Sequence, residues 1–382
     1  MDTELLIATG NTYREQRQPE LALSYYAQAM MQDSQSVSAL NNYGNVIREI
    51  GYPDRAIPFL KRAIELDPGH ETARFNLAVS LLLQGNYKDG WAAYEDRWNF
   101  EHLRGALPVL PRPRWTGQDL TGKTILVIGE QGIGDTVQFS RFAVNLQQLG
   151  AQVVFAVSDN MISLFGSNDI IKQTVGFGNN LPDFDFWTPA MSIPGFLGIT
   201  LDNLSSPLSY INPNQTTVSQ WAARLGVKKR LRIGFSWTGR RDTWINQHKS
   251  VPFELIADMI KKNPNYDWIN LQVDATESEN QMLESIGCAT YPGTISCMSD
   301  TAGLIACMDV VVSVDTAISH LSGAIGKPTW IMLNQYAQDW RWLLRRSDSP
   351  WYPSVRLFRQ PNMDNWKPVL DTISHHLNLF KI

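Results

Sequence analysis

The sequence predicts two architectures in one chain, an N-terminal stack of α-helical repeats followed by an α/β region of two halves. Three observations carry this reading. Small residues recur at an interval of 34, at Gly10, Gly44 and Ala78 and again at Ala22, Ala56 and Gly90. Prolines then crowd into "LPVLPRPRW", where the helical periodicity stops. Beyond them, short apolar runs alternate with helix-spaced segments in two separate series, the pattern of parallel sheets covered by helices in Rossmann-like domains. At 382 residues the chain exceeds the roughly 250 that one core serves. The division that follows is repeats over 1–98, a semi-rigid linker over 99–122, and Rossmann-like domains over 123–228 and 229–382, facing each other across a cleft.

An interval of 34 is the period of tetratricopeptide repeats. In the central copy, "ALNNYGNVIREIGYPDRAIPFLKRAIELDP", Gly44 and Ala56 let two helices approach, Ala63 sits where the next repeat packs, and Pro68 ends the second helix. The outer copies are less regular, with Ser34 in the proline slot and Arg97 in place of Ala63, as at the ends of solenoids. Two uses fit such a stack: a surface for a protein or peptide, or a packing and dimerisation element.

Composition narrows the function classes. With 43% hydrophobic residues, 18% charged residues and a net charge of −4, the chain is neither disordered nor polyelectrolytic, and no nucleic-acid partner is expected. No apolar run approaches the ~18 residues of a membrane span. The start "MDTELLIATG" places Asp2 and Glu4 where a signal peptide carries basic residues, so a cytoplasmic location is expected. Cys288, Cys297 and Cys307 lack CxxC spacing, which favours reduced, mostly buried thiols over a zinc site or a disulfide framework.

In the first α/β series, the strand "TILVI" runs into "GEQGIGDTVQFSRF" and then a helical face of Phe139, Phe142, Ala143, Leu146 and Leu149 before the strand "AQVVFAV". The loop glycines Gly129, Gly132 and Gly134 do not make the GxGxxG of a dinucleotide site. Asp135 also falls at the helix N-terminus, where its charge would repel a phosphate. Gly132 and Gly134 instead allow a tight turn that presents Asp135 at the sheet edge, either as a helix cap or as a proton acceptor.

In the second series, "RLRIGFSW", "YDWINLQV", "MDVVVSV" and "PTWIMLN" read as strands. The anion site is expected in "DVVVSVDTAISHLSGAIGKPTWIML". There the amides of Thr316 to Ile318 open a helix, and Thr316 and His320, four apart, share its face. "DFD" at Asp183 to Asp185 has the form of a metal clamp but lies among prolines, and a loop turn is the expected role. Trp340, Trp342, Trp351 and Tyr352 either stack a ligand or pack, and Arg341 beside Asp339 is the stronger ligand candidate.

Taken together, "GEQGIGDTVQFSRF", "VDTAISHLSGAIGKP" and "DWRWLLRRSDSPWYPSVRLFRQ" resemble the heptosyltransferase-like family 9 glycosyltransferases, in particular bacterial members fused to tetratricopeptide repeats. The resemblance covers nearly the whole chain. It implies a GT-B fold and inverting, metal-independent transfer from a nucleotide-diphosphate sugar, with no cofactor. The O-GlcNAc transferases, which act on proteins, join such repeats to a GT-B region in a similar way.

What the resemblance implies for residues is specific. Asp135 stands at the family's general base. Asp315, Thr316 and His320 stand at its donor motif, with Asp315 toward sugar hydroxyls. Ser236 and Thr238 offer hydroxyls to the diphosphate, Lys249, Arg240 or Arg241 its neutralising cation, with Lys249 favoured, and Gln272 lies where the nucleoside is held. The segment leading to Lys249 is longer than in the lipopolysaccharide enzymes. The implied function is transfer of a sugar to a hydroxyl on a protein or peptide recruited by the repeats, possible targets including a surface or flagellar protein. A lipopolysaccharide or other glycan acceptor is the second reading, and an inactive repeat-based adaptor the third.

Overall fold

The structure is a computed structural model that describes residues 2–100, 103, 105–166, 171–178, 180–239, 241 and 249–380. Its residues fall into two compact units. The first comprises Met1–Leu110, Leu197–Leu204 and Gln335–Arg346, and the second Pro111–Phe196, Ser205–Asn334 and Ser347–Ile382.

The first unit is built on six helices, α1 (Thr3–Glu15), α2 (Pro19–Gln32), α3 (Val37–Glu49), α4 (Pro53–Leu66), α5 (Glu71–Leu83) and α6 (Tyr87–Tyr94). The interval of 34 is written into their caps. Asp2, Ser36 and His70 each accept an amide N–H from the third residue onward, opening α1, α3 and α5. Pro19 and Pro53 open α2 and α4, where the missing N–H costs nothing. All six small periodic residues are buried. At Gly44 a Cβ would lie 3.0 Å from Leu60 Cγ and 3.2 Å from the Ala56 carbonyl oxygen, so glycine sets the α3–α4 spacing. Ala63 packs with Leu40 and Ala73, joining the second repeat to the third.

A ladder of amides crosses the stack. Tyr26 donates to Asn11 Oδ1 at 2.7 Å, as does Asn42 at 2.9 Å; Asn41 donates to Asn42 at 2.9 Å and Asn76 to Asn41 at 3.0 Å. Beside it, Glu49 is 3% exposed and receives Arg14 Nη2 at 2.5 Å, Arg14 Nε at 3.0 Å and Asn45 Nδ2 at 3.2 Å. The two segments from later in the sequence complete this unit. Tyr336 donates to Glu49 Oε2 at 2.5 Å, the Ala337 N–H donates to the Glu49 carbonyl at 2.8 Å, and Trp91 Nε1 donates to the Ile199 carbonyl at 3.0 Å. Arg97 is wholly buried, paired with Glu95 at 2.8 Å and stacked over Trp98.

The second unit holds two parallel sheets. One has the order β3-β2-β1-β4, with β1 Thr124–Ile128, β2 Gln152–Val157, β3 Ile171–Gly176 and β4 Phe186–Pro189. The other has the order β6-β5-β7-β8-β9, with β5 Arg232–Ser236, β6 Asp267–Asn270, β7 Val310–Val314, β8 Thr329–Leu333 and β9 Val355–Arg359. Every residue of β5, β7 and β8 is buried, as expected of strands covered on both faces. The strand order reverses between β5 and β7, and ligands of such sheets bind beyond the carboxyl ends at that switch point.

Part of the sequence-predicted linker is a sheet element. Trp115 and Leu120 are each 1% exposed, and the Trp115 N–H donates to the Trp187 carbonyl on β4 at 2.8 Å. Burying two large apolar side chains fastens 111–122 to the first sheet. Asp185, from the "DFD" motif, accepts the Thr124 N–H at 2.8 Å and so caps the start of β1. Of the cysteines only Cys288 is buried, while Cys297 and Cys307 are half-buried. Among the described residues no helix is long and apolar enough to cross a membrane.

Two predictions follow from the repeat packing. Gly44→Val should lower stability by about 1–3 kcal/mol through overpacking against Leu60, read as a fall in Tm; an unchanged Tm would mean that α3 and α4 separate freely. The second concerns Glu49. Burial opposes its ionisation, but Arg14, Arg48 and Tyr336 outweigh burial and hold its carboxyl below the usual 4.5. A depressed carboxylate contributes stability above its unfolded value that is lost as pH falls through the folded one. Tm should therefore drop on acidification below about pH 4.5, and Glu49→Gln should flatten that dependence. An equally steep acid limb in the variant would remove Glu49 as its origin.

Candidate functional site

The site forms where loops after β5 and β7 meet the glycine turn after β1, all within the second unit. On the β7 side, the helix Ala317–Ile325 begins at Thr316, whose side chain and that of Ser319 form a reciprocal cap, and stops at Gly326 with φ 83. Asp315 is the residue between strand and cap. Its Oδ2 receives Lys249 Nζ at 2.5 Å, and its Oδ1 lies 3.8 Å from His320 Nε2. Lys249 and Asp315 are 13% and 7% exposed, which makes this a largely desolvated pair that excess negative charge can enter only by competing with the aspartate.

His320 is fixed from its other side. Its Nδ1 lies 2.8 Å from the Tyr352 hydroxyl, within hydrogen-bond distance, so the two ring nitrogens face a phenol and a carboxylate. Tyr352 in turn borders a buried cation. Arg141 lies over the rings of Tyr210, Tyr352 and Trp351 at 4.6, 4.7 and 5.3 Å, and donates to the Trp351 carbonyl at 2.6 Å and to the Tyr210 hydroxyl at 3.1 Å. Arg141 belongs to the helical segment that follows the glycine turn, so one guanidinium ties the first sheet's helix to the loop before β9.

The hydroxyl candidates join the same edge. Ser236, the last residue of β5, lies 2.8 Å from Ser313 Oγ on β7, and Ser313 lies 3.3 Å from Thr316 Oγ1. Thr238 pairs with Ser250 at 2.7 Å, next to Lys249 in sequence. Gln272 Oε1 accepts the N–H groups of Trp237 and Thr238, both at 3.3 Å, and Gln272 also lines an open cleft with Asn270, Val273, Asn280, Tyr291 and Ile295. Arg241 is engaged elsewhere, with Nη2 at 2.8 and 3.0 Å from the two oxygens of Glu279. Burial works to raise the Glu279 carboxyl, yet the Thr276 N–H and Arg241 outweigh it and hold it below the usual range. Arg240 lies outside the described residues.

The glycine turn departs from the expected use of its glycines. The left-handed residue is Gln131, with φ 59, whereas Gly132 caps the helix Ile133–Phe139 in extended backbone. Asp135 Oδ2 accepts the Gly132 N–H at 2.9 Å, so the capping role is real and places the carboxylate in the first turn. Gly134 serves close approach. A Cβ there would lie 2.8 Å from His320 Cδ2 and 3.5 Å from Ala317 Cα. This contact sets Asp135 beside the helix that carries His320.

Of the sequence-predicted residues, Asp135, Ser236, Thr238, Lys249, Gln272, Asp315, Thr316 and His320 thus gather along one edge of the second unit. Arg341 does not join them. It belongs to the first unit, where it pairs with Asp339 at 3.1 Å and stacks on Trp340 at 4.3 Å. The aromatic cluster divides likewise, Trp340 and Trp342 to the first unit and Trp351 and Tyr352 to the second. Sequence reasoning missed Arg141, Tyr210, Ser250 and Ser313, and assigned Tyr352 no partner. A basic residue between Phe139 and Phe142 in an otherwise apolar helical face was the available signal for Arg141.

Helical repeats joined to two parallel sheets of this order make a repeat stack followed by a GT-B-like fold. Comparison with known proteins finds likenesses to both parts. Residues 48–93 match the tetratricopeptide repeat family. The glycosyl transferase family 9 protein of Veillonella parvula superposes with a TM-score of 0.51 over 70% of this chain and 92% of its own, at 11% identity. The Escherichia coli ADP-heptose lipopolysaccharide heptosyltransferase II gives 0.48 over 67% and 98%, at 14% identity. In sequence, protein FlbA of Caulobacter vibrioides is 26% identical over 331 residues, which are 80% of this chain and 55% of that protein. The chain therefore spans about half the length of that relative.

The Gly134 contact yields a prediction of sign. In an open helix Gly→Ala stabilises by about 1 kcal/mol. Here the Cβ would meet His320 Cδ2 at 2.8 Å, on a ring tied to the Tyr352 hydroxyl and 5% exposed, so Gly134→Ala should instead destabilise, by ~1–3 kcal/mol. A raised Tm would show that the two helices are not in forced contact.

Proposed function

We propose that the chain is an inverting glycosyltransferase that moves a sugar from a nucleoside-diphosphate donor to a hydroxyl of a protein acceptor brought by the repeats. The observation that supports this best is the juxtaposition of the Asp135 turn with the Lys249–Asp315–His320 cluster at the switch point of the second sheet. A carboxylate on one side and a cation beside a helix N-terminus on the other is what a single displacement at an anomeric carbon needs.

The Thr316 N–H, expected from sequence to be open to an anion, is taken by Ser319 Oγ at 3.2 Å, so in this reading the donor diphosphate lies against the amides of Ala317 and Ile318 and the ammonium of Lys249, with Ser236 and Thr238 as hydroxyl partners and no metal role. The nucleoside occupies the cleft lined by Gln272 and Tyr291. Asp315 and His320 face the sugar hydroxyls. Asp135 takes the acceptor proton as that oxygen bonds to the anomeric carbon, and the carbon–oxygen bond to phosphate breaks on the opposite face. The electron pair leaves on the nucleoside diphosphate, where Lys249 offsets its charge. Because one displacement occurs, the anomeric configuration inverts.

Asp135→Asn should reduce transfer by ~10²- to 10⁴-fold while nucleotide affinity stays nearly constant; near-normal turnover would leave Asp135 a cap only. A thermal-shift panel of ADP, UDP, GDP, CMP and their sugar conjugates tests the donor site directly. A ligand at 100 times its Kd should add about 2.7 kcal/mol of stability. A shift with one nucleoside diphosphate names the base, and no shift with any of them, from a cooperatively melting protein, would turn the reading toward an adaptor.

A further inference from the structure

The repeats carry their own ligand. We propose that the segment Gln335–Arg346 is an internal peptide bound by the repeat face made of Arg14, Glu49, Tyr87, Trp91 and Tyr94, so that an external partner reaches this face only by displacing it. The segment lies in sequence between β8 and β9, yet folds as part of the repeat unit. The proposal is independent of the transferase chemistry.

Two anchors hold the segment. At the first, Glu49 is buried with Arg14 and Asn45 on one side, and Tyr336 supplies the hydroxyl that completes its coordination, at 2.5 Å. The Ala337 N–H adds a main-chain bond to the Glu49 carbonyl, the kind of contact a docked peptide makes. At the second, Trp340 sits 4% exposed and presents its ring edge-on to Trp91 at 5.3 Å and 88°, to Tyr87 at 6.2 Å and 88° and to Tyr94 at 6.4 Å and 60°. Edge-to-face geometry at these separations is the favourable one. The side chain between the anchors is organised by the segment itself: Asp339 caps the Arg341 N–H at 2.9 Å and pairs with its guanidinium, which lies over Trp340.

The third repeat explains why the face needs an occupant. α6 is the last of the six helices, and its Trp91 stands 68 residues after Leu23, which packs against Ile47 and Leu60 of the following repeat. Terminal repeats require a cap with a polar outer side. Trp340 packs against Trp91 as such an aromatic cap, and Asp339, its side chain 22% exposed, stands on the polar side. Being tethered, the segment competes at an effective concentration of order millimolar, so a free peptide of ordinary affinity does not exchange with it.

The test uses the full chain. Hydrogen exchange followed by mass spectrometry should show residues 335–346 protected in the wild type and exchanging about tenfold faster in Tyr336→Phe and in Trp340→Ala, with β5, β7 and β8 unchanged. In parallel, a labelled synthetic peptide of residues 335–346 should bind Trp340→Ala at least about tenfold more tightly than the wild type, whose face is filled. Equal exchange of 335–346 in the wild type and both variants, or equal peptide binding by the wild type and Trp340→Ala, would overturn the proposal. Should Trp340→Ala unfold α5 and α6, seen as lost protection there, Tyr336→Phe removes only a hydroxyl and decides the exchange arm alone.

Discussion

The candidate site depends on one close approach, that of the backbone at Gly134 to the imidazole of His320. Two helices from different sheets meet there with no side chain between them, and any Cβ would occupy space the histidine ring already fills. This contact packs the helix that carries Asp135 against the helix that follows Asp315. The histidine is tied on one side by the Tyr352 hydroxyl at 2.8 Å, with Asp315 facing its other nitrogen at 3.8 Å, and Tyr352 is itself packed against the Arg141 guanidinium. Position, rather than any unusual residue, makes the site.

Buried charge is handled in two ways. Arg141 rests on carbonyls and aromatic rings, whereas other ionic groups are paired: Lys249 on Asp315, Arg14 on Glu49, Arg97 on Glu95. Removing one partner of such a pair leaves an uncompensated charge in a poorly solvated place, which costs more than the pair ever gains. These pairs therefore specify which segments meet rather than supplying net stability. Glu49 is the clearest case, since without Tyr336 and Arg14 the end of α3 has no reason to bury a carboxylate.

The repeat unit is not made of the repeats alone. Their unit includes 197–204 and 335–346, segments that the sequence places inside the α/β region. A three-repeat stack is near the lower limit of independent stability, and its last helix carries three large aromatics that meet Trp340. Borrowed segments meet that need. The same borrowing explains why Arg341, read from sequence as a donor-site residue beside its aromatics, serves the repeat unit.

By itself the sequence determined the local architecture. Small residues every 34 positions, caps at Asp2, Ser36 and His70, and apolar strand runs ending in Gly129 or Asp315 are short-range signals, because helix and strand periodicities are set by neighbours along the chain. The motifs after β1 and β7 were legible for the same reason, and their residues do gather at one edge. Only the tertiary structure decided the pairings. Tyr336 and Glu49 are 287 residues apart, Arg141 and Trp351 are 210, and Lys249 and Asp315 are 66. No periodicity connects such partners. Which aromatics cap the repeats and which enclose Arg141 is settled by the burial available once both sheets and the stack exist, and a composition of four adjacent aromatics carries no information on how they divide.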